Sequence, residues 1–144
     1  MAGREPVEVT VEIAPLRELY RRIIFSILTG NTDDHLRNHA FLRRGRGWTL
    51  SPAYDLNPNP NRPDRLSTAI DLDETTADID TALSVSRYFR LSPAQARSEV
   101  ASVRDGTSGW RSEAAALNLP RREIDLMAQA FETGQRRATS AMEP

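Results

Sequence analysis

The chain has 144 residues, of which 39% are hydrophobic and 27% are charged, a composition typical of one soluble globular domain. Its formal net charge of −1 argues against a general affinity for nucleic acid or for a membrane surface, and no apolar run approaches the ~20 residues of a membrane span. Cysteine is absent, which excludes disulfides and thiolate metal ligands, and residues 1–15 lack the apolar core of a signal peptide, so we expect a cytoplasmic protein.

The N-terminal part predicts one strand and one helix. Residues 7–13 alternate between apolar and polar side chains, which indicates a half-buried strand. Over residues 14–29 the apolar side chains recur at helical spacing, and Arg17, Arg21 and Arg22 are expected on the opposite face. The glycine that follows is a natural end for this helix.

The middle of the chain predicts a β-hairpin followed by loops. Two short strands, 39–42 and 48–50, flank a turn that is rich in arginine and glycine. Residues 57–61 alternate asparagine with proline and are expected to form a loop, because proline removes a backbone donor and biases the preceding residue to an extended conformation. Residues 66–72 predict a further strand at a solvated edge.

The remaining segments are predicted to be helical. One helix is expected over residues 77–89. A longer one begins after the N-cap and proline pair at 92–93 and extends to about residue 117, with Gly106 and Gly109 weakening its middle. A last helix is expected over residues 120–131, with its apolar side chains on one face.

These patterns together predict a mainly α fold with a small β-hairpin. We expect residues 1–144 to form a single domain. Residues 1–13 and 133–144 are expected to be peripheral, the latter as a frayed tail. The hairpin is the element that matters for function, because it brings the chain before it and the chain after it side by side.

Three oxygen-bearing side chains flank the predicted hairpin. Asp33 and Asn38 form the pattern D-x-x-x-x-N before it, and Asp55 follows it. Phosphoryl transfer needs an acidic residue that orients the attacking hydroxyl and oxygen ligands that hold Mg²⁺ on the nucleotide phosphates. The spacing is that of a protein-kinase catalytic loop followed by a second metal aspartate.

All 19 basic residues are arginine, and lysine is absent. Nucleotide-binding kinases and P-loop proteins position phosphates with a lysine and a glycine-rich loop, and this chain offers neither. The nearest candidate, G-R-G at residues 45–47, is better explained as the hairpin turn, because strand-like residues flank it and no helix follows.

Two longer runs carry a specific resemblance. The run F-S-I-L-T-G-N-T-D-D-H-L-R-N-H-A-F-L, followed by G-W-T-L-S-P-A-Y-D-L-N-P, resembles the C-terminal domain of HipA-family toxins, the serine/threonine kinases of bacterial toxin–antitoxin modules. The resemblance is continuous over residues 16–60. It implies a predominantly helical kinase C-lobe that acts on ATP with Mg²⁺.

The resemblance also implies roles for individual residues and for partners. Asp33 would be the catalytic base, Asn38 and Asp55 the Mg²⁺ ligands, and His35 and Arg37 neighbours of the phosphates. The implied partners are a protein substrate, such as an aminoacyl-tRNA synthetase or another translation component, and a DNA-binding antitoxin.

Kinases of this family are much longer than 144 residues and carry an N-lobe with an ATP-covering loop and its lysine. The resemblance covers only the C-lobe. We therefore expect a natural fragment, a cut piece, or half of a split kinase that receives its N-lobe from another chain.

A different class of function uses the same stretch. His35 and His39 have H-x-x-x-H spacing, and Asp33 or Asp34 could complete a zinc or iron site. That set would indicate a metal-dependent hydrolase. Against it, no glutamate lies between the histidines, and His39 is expected to begin a strand rather than to lie on a helix.

Two further interpretations remain open. The domain could be a kinase-like C-lobe that binds a partner without catalysis, because such a module shares every motif with an active lobe. Alternatively, Asp33 and Asp34 could belong to a solvated turn, with Asn38 bonding only to loop backbone.

Overall fold

The computed structural model describes residues 13–61, 64–72 and 74–142. The chain is mainly helical with one antiparallel two-stranded hairpin, as predicted. No helix formed by the residues in these ranges combines the length and the apolar character that crossing a bilayer requires. The elements in chain order are α1 (Ile13–Thr29), β1 (Phe41–Arg44), β2 (Gly47–Leu50), α2 (Ile79–Ser84), α3 (Pro93–Ser108), α4 (Trp110–Ala116) and α5 (Arg121–Met142).

Helix α1 is the centre of the fold and packs against α2, α3 and α5. Four of its large apolar side chains are almost fully buried, at the helical spacing that the sequence predicted. The Tyr20 hydroxyl donates a hydrogen bond to the carbonyl of Ala82 in α2 (3.0 Å), and its ring packs against Phe89. The four most buried apolar residues of the helix are Tyr20, Ile24, Ile27 and Leu28.

The arginines of α1 do not form a simple solvent-facing row. Arg17 and Arg21 both form ion pairs with the carboxylate of Glu99 in α3, which is only 1% exposed. Burial alone would raise the pKa of Glu99, but the hydrogen bonds and charges of the two arginines bring it below its ordinary value. Arg22 is buried, so the expectation that it lies on the face opposite the core is wrong.

Helix α5 is longer than predicted. The helix was expected to end near Phe131, with a frayed tail from residue 133, yet it continues to Met142. Its buried residues are Ala130, Gly134 and Ala138, four positions apart. A Cβ at Gly134 would lie 1.7 Å from the carbonyl oxygen of Leu28, so the small residues let α5 approach the backbone of α1 closely. Alanine and glycine carry little apolar surface, which is why the pattern of large apolar residues missed this face.

The other segments differ from the predictions in detail. The expected helix at 77–89 consists of α2, which Asp78 caps, and a 3-10 turn at Ser86–Phe89. The long helix predicted from residue 92 is divided at Gly109 into α3 and α4. Residues 66–72 do not form a strand, since this region has only isolated bridges. The strand predicted at 7–13 lies outside the described residues except for Ile13, which begins α1.

Candidate active site

The hairpin brings two distant polar segments together. Strand β1 pairs with β2 in an antiparallel register that runs from Phe41 opposite Leu50 to Arg44 opposite Gly47. The pairing extends past the strands, because the Ser51 amide donates to the carbonyl of residue 40 (2.8 Å). The segment before β1 and the segment after β2 therefore lie side by side, as predicted.

Asn38 is the direct link between these two segments. It ends a 3-10 turn, and its side-chain nitrogen Nδ2 donates to the Asp33 carbonyl (2.8 Å) and to Asp55 Oδ2 (3.1 Å). The other carboxylate oxygen of Asp55 accepts from Asn57 Nδ2 (2.7 Å). Asp33, Asn38 and Asp55 line the same small cleft. The three residues singled out in the sequence are thus neighbours in space.

Asp33 presents its carboxylate to solvent at the mouth of the cleft. Its side chain is 58% exposed, and Oδ1 lies 3.0 Å from His35 Nε2. Arg37 is exposed and is not among the residues that line the cleft; its carbonyl accepts a hydrogen bond from the Tyr54 hydroxyl (2.6 Å). The predicted roles of His35 and Arg37 as neighbours of the phosphates remain predictions.

Asp55 has an uncommon backbone conformation. Its φ of 56° lies in the left-handed region, which costs energy for residues with a Cβ, although aspartate tolerates it better than most. The segment is held by the Tyr54 hydroxyl and by the two asparagines that bond the Asp55 carboxylate. Strain of this kind clusters at functional sites, although Arg90 and Asn118 have the same conformation where helical segments end.

Asp34 is buried, unlike the exposed Asp33. Its Oδ1 accepts hydrogen bonds from the backbone amides of Ser67 (2.8 Å) and Thr68 (3.3 Å). Burial raises the pKa of Asp34, even though these hydrogen bonds act in the opposite direction. Asp34 thus anchors the loop that follows the site, and the alternative of a fully solvated turn does not apply to it.

Three further residues line the inner part of the cleft: Arg22, Asn31 and His39. Arg22 and Asn31 are buried and were missed as site residues in the sequence, and His39 was considered only as a zinc or iron ligand. Arg22 Nη2 donates to the carbonyl of Ser51, and Nε lies 3.2 Å from Glu18 Oε1. Burial lowers the pKa of His39, and the positive charge of Arg22 adds to that effect. A signal was present, because Arg22 and Ser26 are polar residues four positions apart in α1 and therefore share one helix side.

A larger apolar cavity adjoins the cleft, with a volume of about 410 Å³. Asp34 and His39 line both spaces, so the polar cleft and the apolar cavity share a wall. The cavity was not predicted, since its walls come from segments that are far apart in sequence. Its apolar walls include Leu19, Ile23, Phe41, Leu50, Leu66 and Phe89.

The donor set of the cleft suits a hard cation. The lining residues include the aspartates at positions 33, 34 and 55 and one arginine, Arg22, which makes the cleft formally negative. Because Nδ2 of Asn38 is occupied by two acceptors, its oxygen Oδ1 is the atom left for a cation. Mg²⁺ is typically held by one or two carboxylates together with substrate phosphates, so the residues present fit this ion.

The arrangement gives no support to the zinc or iron alternative. Within the described ranges, no three histidine, aspartate or glutamate side chains are grouped so that they could hold one metal ion. His35 contacts Asp33 through Nε2, whereas His39 belongs to the buried wall of the cleft. The hydrolase interpretation therefore rests on the H-x-x-x-H spacing alone.

Comparison with known proteins gives one match. The family model described as the HipA-like C-terminal domain matches residues 7–133, which is most of the chain. No curated protein and no solved structure matches the chain.

Proposed function

Because the chain belongs to the family of HipA-like C-terminal domains, we propose that it is the C-lobe of a HipA-type serine/threonine protein kinase, the toxin of a bacterial toxin–antitoxin module. The proposed reaction transfers the γ-phosphoryl group of ATP to a serine of a protein. The observation that carries the proposal is the shared cleft of Asp33, Asn38 and Asp55, in which the side chain of Asn38 bonds to Asp55.

Asp33 is the group that acts on the substrate hydroxyl. Its exposed carboxylate can accept the hydrogen of a serine hydroxyl and orient the oxygen for attack. His35, 3.0 Å from Oδ1, restricts the rotation of this carboxylate and leaves Oδ2 for the substrate. With Arg37, His35 also supplies positive charge near the transferring phosphoryl group when it is protonated.

Asn38 and Asp55 are the residues that would hold Mg²⁺. Held there, Mg²⁺ would supply positive charge that offsets the negative charge developing on the phosphates. The protein contributes preorganisation, since the hydrogen bonds of Asn38 to Asp33 and Asp55 fix the amide before any ligand arrives. Asn57 fixes the carboxylate of Asp55 in the same way.

The ATP-covering part of the kinase is not among these 144 residues, since they contain no lysine and no glycine-rich phosphate loop. We propose that an N-lobe supplies the lysine contact. A protein substrate and a DNA-binding antitoxin are the further partners that the family implies.

A second candidate is a kinase-like module that binds a partner without catalysis. It is favoured by the hairpin, whose large side chains Phe41, Leu42 and Trp48 are exposed beside a turn rich in arginine. Exposed aromatic and arginine side chains are the residues that most often anchor protein interfaces.

Reconstitution distinguishes the two candidates. The chain is co-expressed with an ATP-covering lobe of the same family, and binding of ATP with Mg²⁺ is measured by calorimetry with and without that lobe. Transfer of labelled γ-phosphate to protein serine is then followed for the wild type and for Asp33→Asn and Asp55→Asn. The kinase proposal expects binding and transfer in the wild type and loss of transfer in both variants. A complex that forms but binds no ATP supports the partner-binding module instead.

A further inference from the structure

The buried end of the cleft contains an unusual group of polar atoms. Arg22 Nη1, Asn31 Oδ1 and His39 Nδ1 are buried and have no hydrogen-bond partner among the described protein atoms. All three residues line the same small cleft as Asp33 and Asp55. Buried polar side-chain atoms are normally paired with protein or with ordered water, so three unpaired atoms on residues that line one space point to a ligand that bridges them.

The space and the chemistry of these atoms identify the ligand. The free volume of the cleft is about 10 Å³, which is about the least room that one water molecule needs. A phosphate held by Mg²⁺ would therefore lie outside the cleft, on the side where the Asp33 carboxylate is exposed. The guanidinium nitrogen of Arg22 can only donate a hydrogen bond, and the amide oxygen of Asn31 can only accept one. A neutral imidazole nitrogen of His39 can accept a second. One water molecule can accept from Arg22 and donate to the other two.

Arg22 is the member of this group that reaches the site segment directly. Its guanidinium is 5% exposed, and Nη2 donates to the carbonyl of Ser51, four residues before Asp55. Its Nε lies 3.2 Å from Glu18 in the same helix. One nitrogen, Nη2, therefore ties α1 to the chain after the hairpin, Nε pairs within the helix, and Nη1 is left for the water.

We propose that Arg22, Asn31 and His39 bind one structural water at the floor of the cleft, and that Arg22 is a positioning residue that fixes the segment carrying Asp55. The inference rests on the proposed function where it concerns the metal site, because Asp55 is a proposed Mg²⁺ ligand. The water site itself does not depend on that assignment. Residues that orient metal ligands from behind affect metal affinity by about tenfold to a hundredfold when they are replaced.

The water site is tested by a high-resolution crystal structure of the wild-type chain. The proposal expects one ordered water within hydrogen-bond distance of Arg22 Nη1, Asn31 Oδ1 and His39 Nδ1, about 2.7–3.2 Å from each. An empty floor, or side chains that pair with each other or with other protein atoms, overturns the water site.

The positioning role is tested with Arg22→Met and the matched variant Arg21→Met. Arg21 is the adjacent arginine of α1 but pairs with Glu99 on the far side, so its loss weakens the fold without touching the cleft. Binding of Mn²⁺ alone is followed by paramagnetic broadening of amide NMR signals. We expect a dissociation constant that is about tenfold to a hundredfold higher in Arg22→Met and unchanged in Arg21→Met. Equal affinity in the two variants overturns the role of Arg22.

Two additions keep this test decisive. Arg22→Lys keeps the charge but has one donor nitrogen in place of three, so it serves if Arg22→Met does not fold. It is expected to bind Mn²⁺ more weakly than the wild type, and wild-type affinity overturns the role of Arg22. Amide hydrogen exchange at residues 53–55 is measured without metal. Faster exchange there in the Arg22 variants, but not in Arg21→Met, supports the role of Arg22. This holds even if the wild type binds no Mn²⁺, since that result would count only against the proposed kinase site. Equal exchange in the Arg22 variants and in Arg21→Met overturns the role of Arg22.

Discussion

The helical frame of α1, α3 and α5 differs from the polar cleft at residues 31–57 in how its buried polar groups are paired and in how strained its backbone is. In the frame, the buried carboxylate of Glu99 is paired with two arginines. Residue 134 is a glycine, so no side chain there collides with α1. In the cleft, three buried polar atoms are unpaired within the described protein, against one elsewhere, Gln135 Nε2 in α5, and Asp55 adopts a left-handed backbone conformation.

Stability comes from the packing of the frame, and part of it is given up in the cleft. A well-packed frame can hold a neighbouring segment in a geometry that the segment would not adopt alone. Replacements in the frame should therefore change stability, whereas replacements at the exposed side of the cleft should change function with little change in stability.

Asp33→Asn should separate function from stability most sharply. In the reconstituted kinase we expect the transfer rate to fall by about 10²- to 10⁴-fold, which is the usual contribution of a general base. The melting temperature should stay nearly constant, because the Asp33 side chain is 58% exposed. Rates with labelled ATP and a thermal melt of the same preparation provide the measurement. A large drop in melting temperature would instead make Asp33 a structural residue.

Gly134→Ala should give the largest loss of stability. The added Cβ would lie 1.7 Å from the Leu28 carbonyl oxygen, so α5 must move away from α1, at a cost of about 1–3 kcal/mol or more in the free energy of unfolding. Urea denaturation measures this cost.

Gly106→Ala is the matched control, since nothing lies within 4 Å of a Cβ there. It should stabilise α3 by about 0.5–1 kcal/mol, the usual advantage of alanine over glycine in a helix. If both variants shift the unfolding curve in the same direction, the close contact of α1 with α5 is not what makes alanine unfavourable at residue 134.

Glu99→Gln should weaken the contact between α1 and α3. The variant removes the charge that Arg17 and Arg21 share, and we expect a loss of about 1–3 kcal/mol; the full cost of breaking a buried pair is larger, but both arginines are partly exposed and screened by solvent. Urea denaturation at neutral pH measures the loss. Stability equal to that of the wild type would show that neutral hydrogen bonds suffice at this contact.

The Glu99 carboxylate should also make the stability of the protein depend on pH. The pKa of Glu99 in the folded protein lies below its ordinary value of 4.5, so its contribution is complete above that value and is lost as the pH falls through the folded pKa. The difference in unfolding free energy between the wild type and Glu99→Gln should therefore shrink as the solution is acidified below about 4.5. A difference that stays constant over this range would contradict the assignment.

Asp55→Gly and Asp55→Ala form the most delicate comparison. Both variants lose the carboxylate and its hydrogen bonds to Asn38 and Asn57, but only glycine adopts the positive φ without cost. We expect Asp55→Gly to be more stable than Asp55→Ala by about 1 kcal/mol, measured by urea denaturation. Equal stability would mean that the backbone relaxes in the alanine variant.

Large apolar side chains and turn chemistry made part of the fold predictable. The spacing of Tyr20, Ile24, Ile27 and Leu28 identified α1, and the glycines of the turn identified the hairpin, whose Gly45 has a φ of 59°. The proximity of Asn38 to Asp55 followed from the hairpin, because antiparallel pairing fixes which segments become neighbours.

The sequence could not show features that depend on close contact between distant segments. A glycine and alanine stripe carries no strong apolar pattern, so the extent of α5 was missed. An arginine on a helix is normally expected in solvent, so the sequence did not indicate that Arg22 is buried. Its guanidinium donates a hydrogen bond to the carbonyl of Ser51. Residues 66–72, predicted to form a strand at a solvated edge, are held instead by isolated bridges and by the carboxylate of Asp34.

The hairpin also determines how relatives of this site should be searched for. Asn38 and Asp55 stand at its open end, and Gly45 at its tip, so residues added in equal numbers to both strands move the tip outward and leave the open end unchanged. An unequal addition shifts the register and turns side chains to the other face. A useful sequence pattern would therefore keep a fixed number of residues from Asp33 to Asn38 and allow a variable number from Asn38 to Asp55.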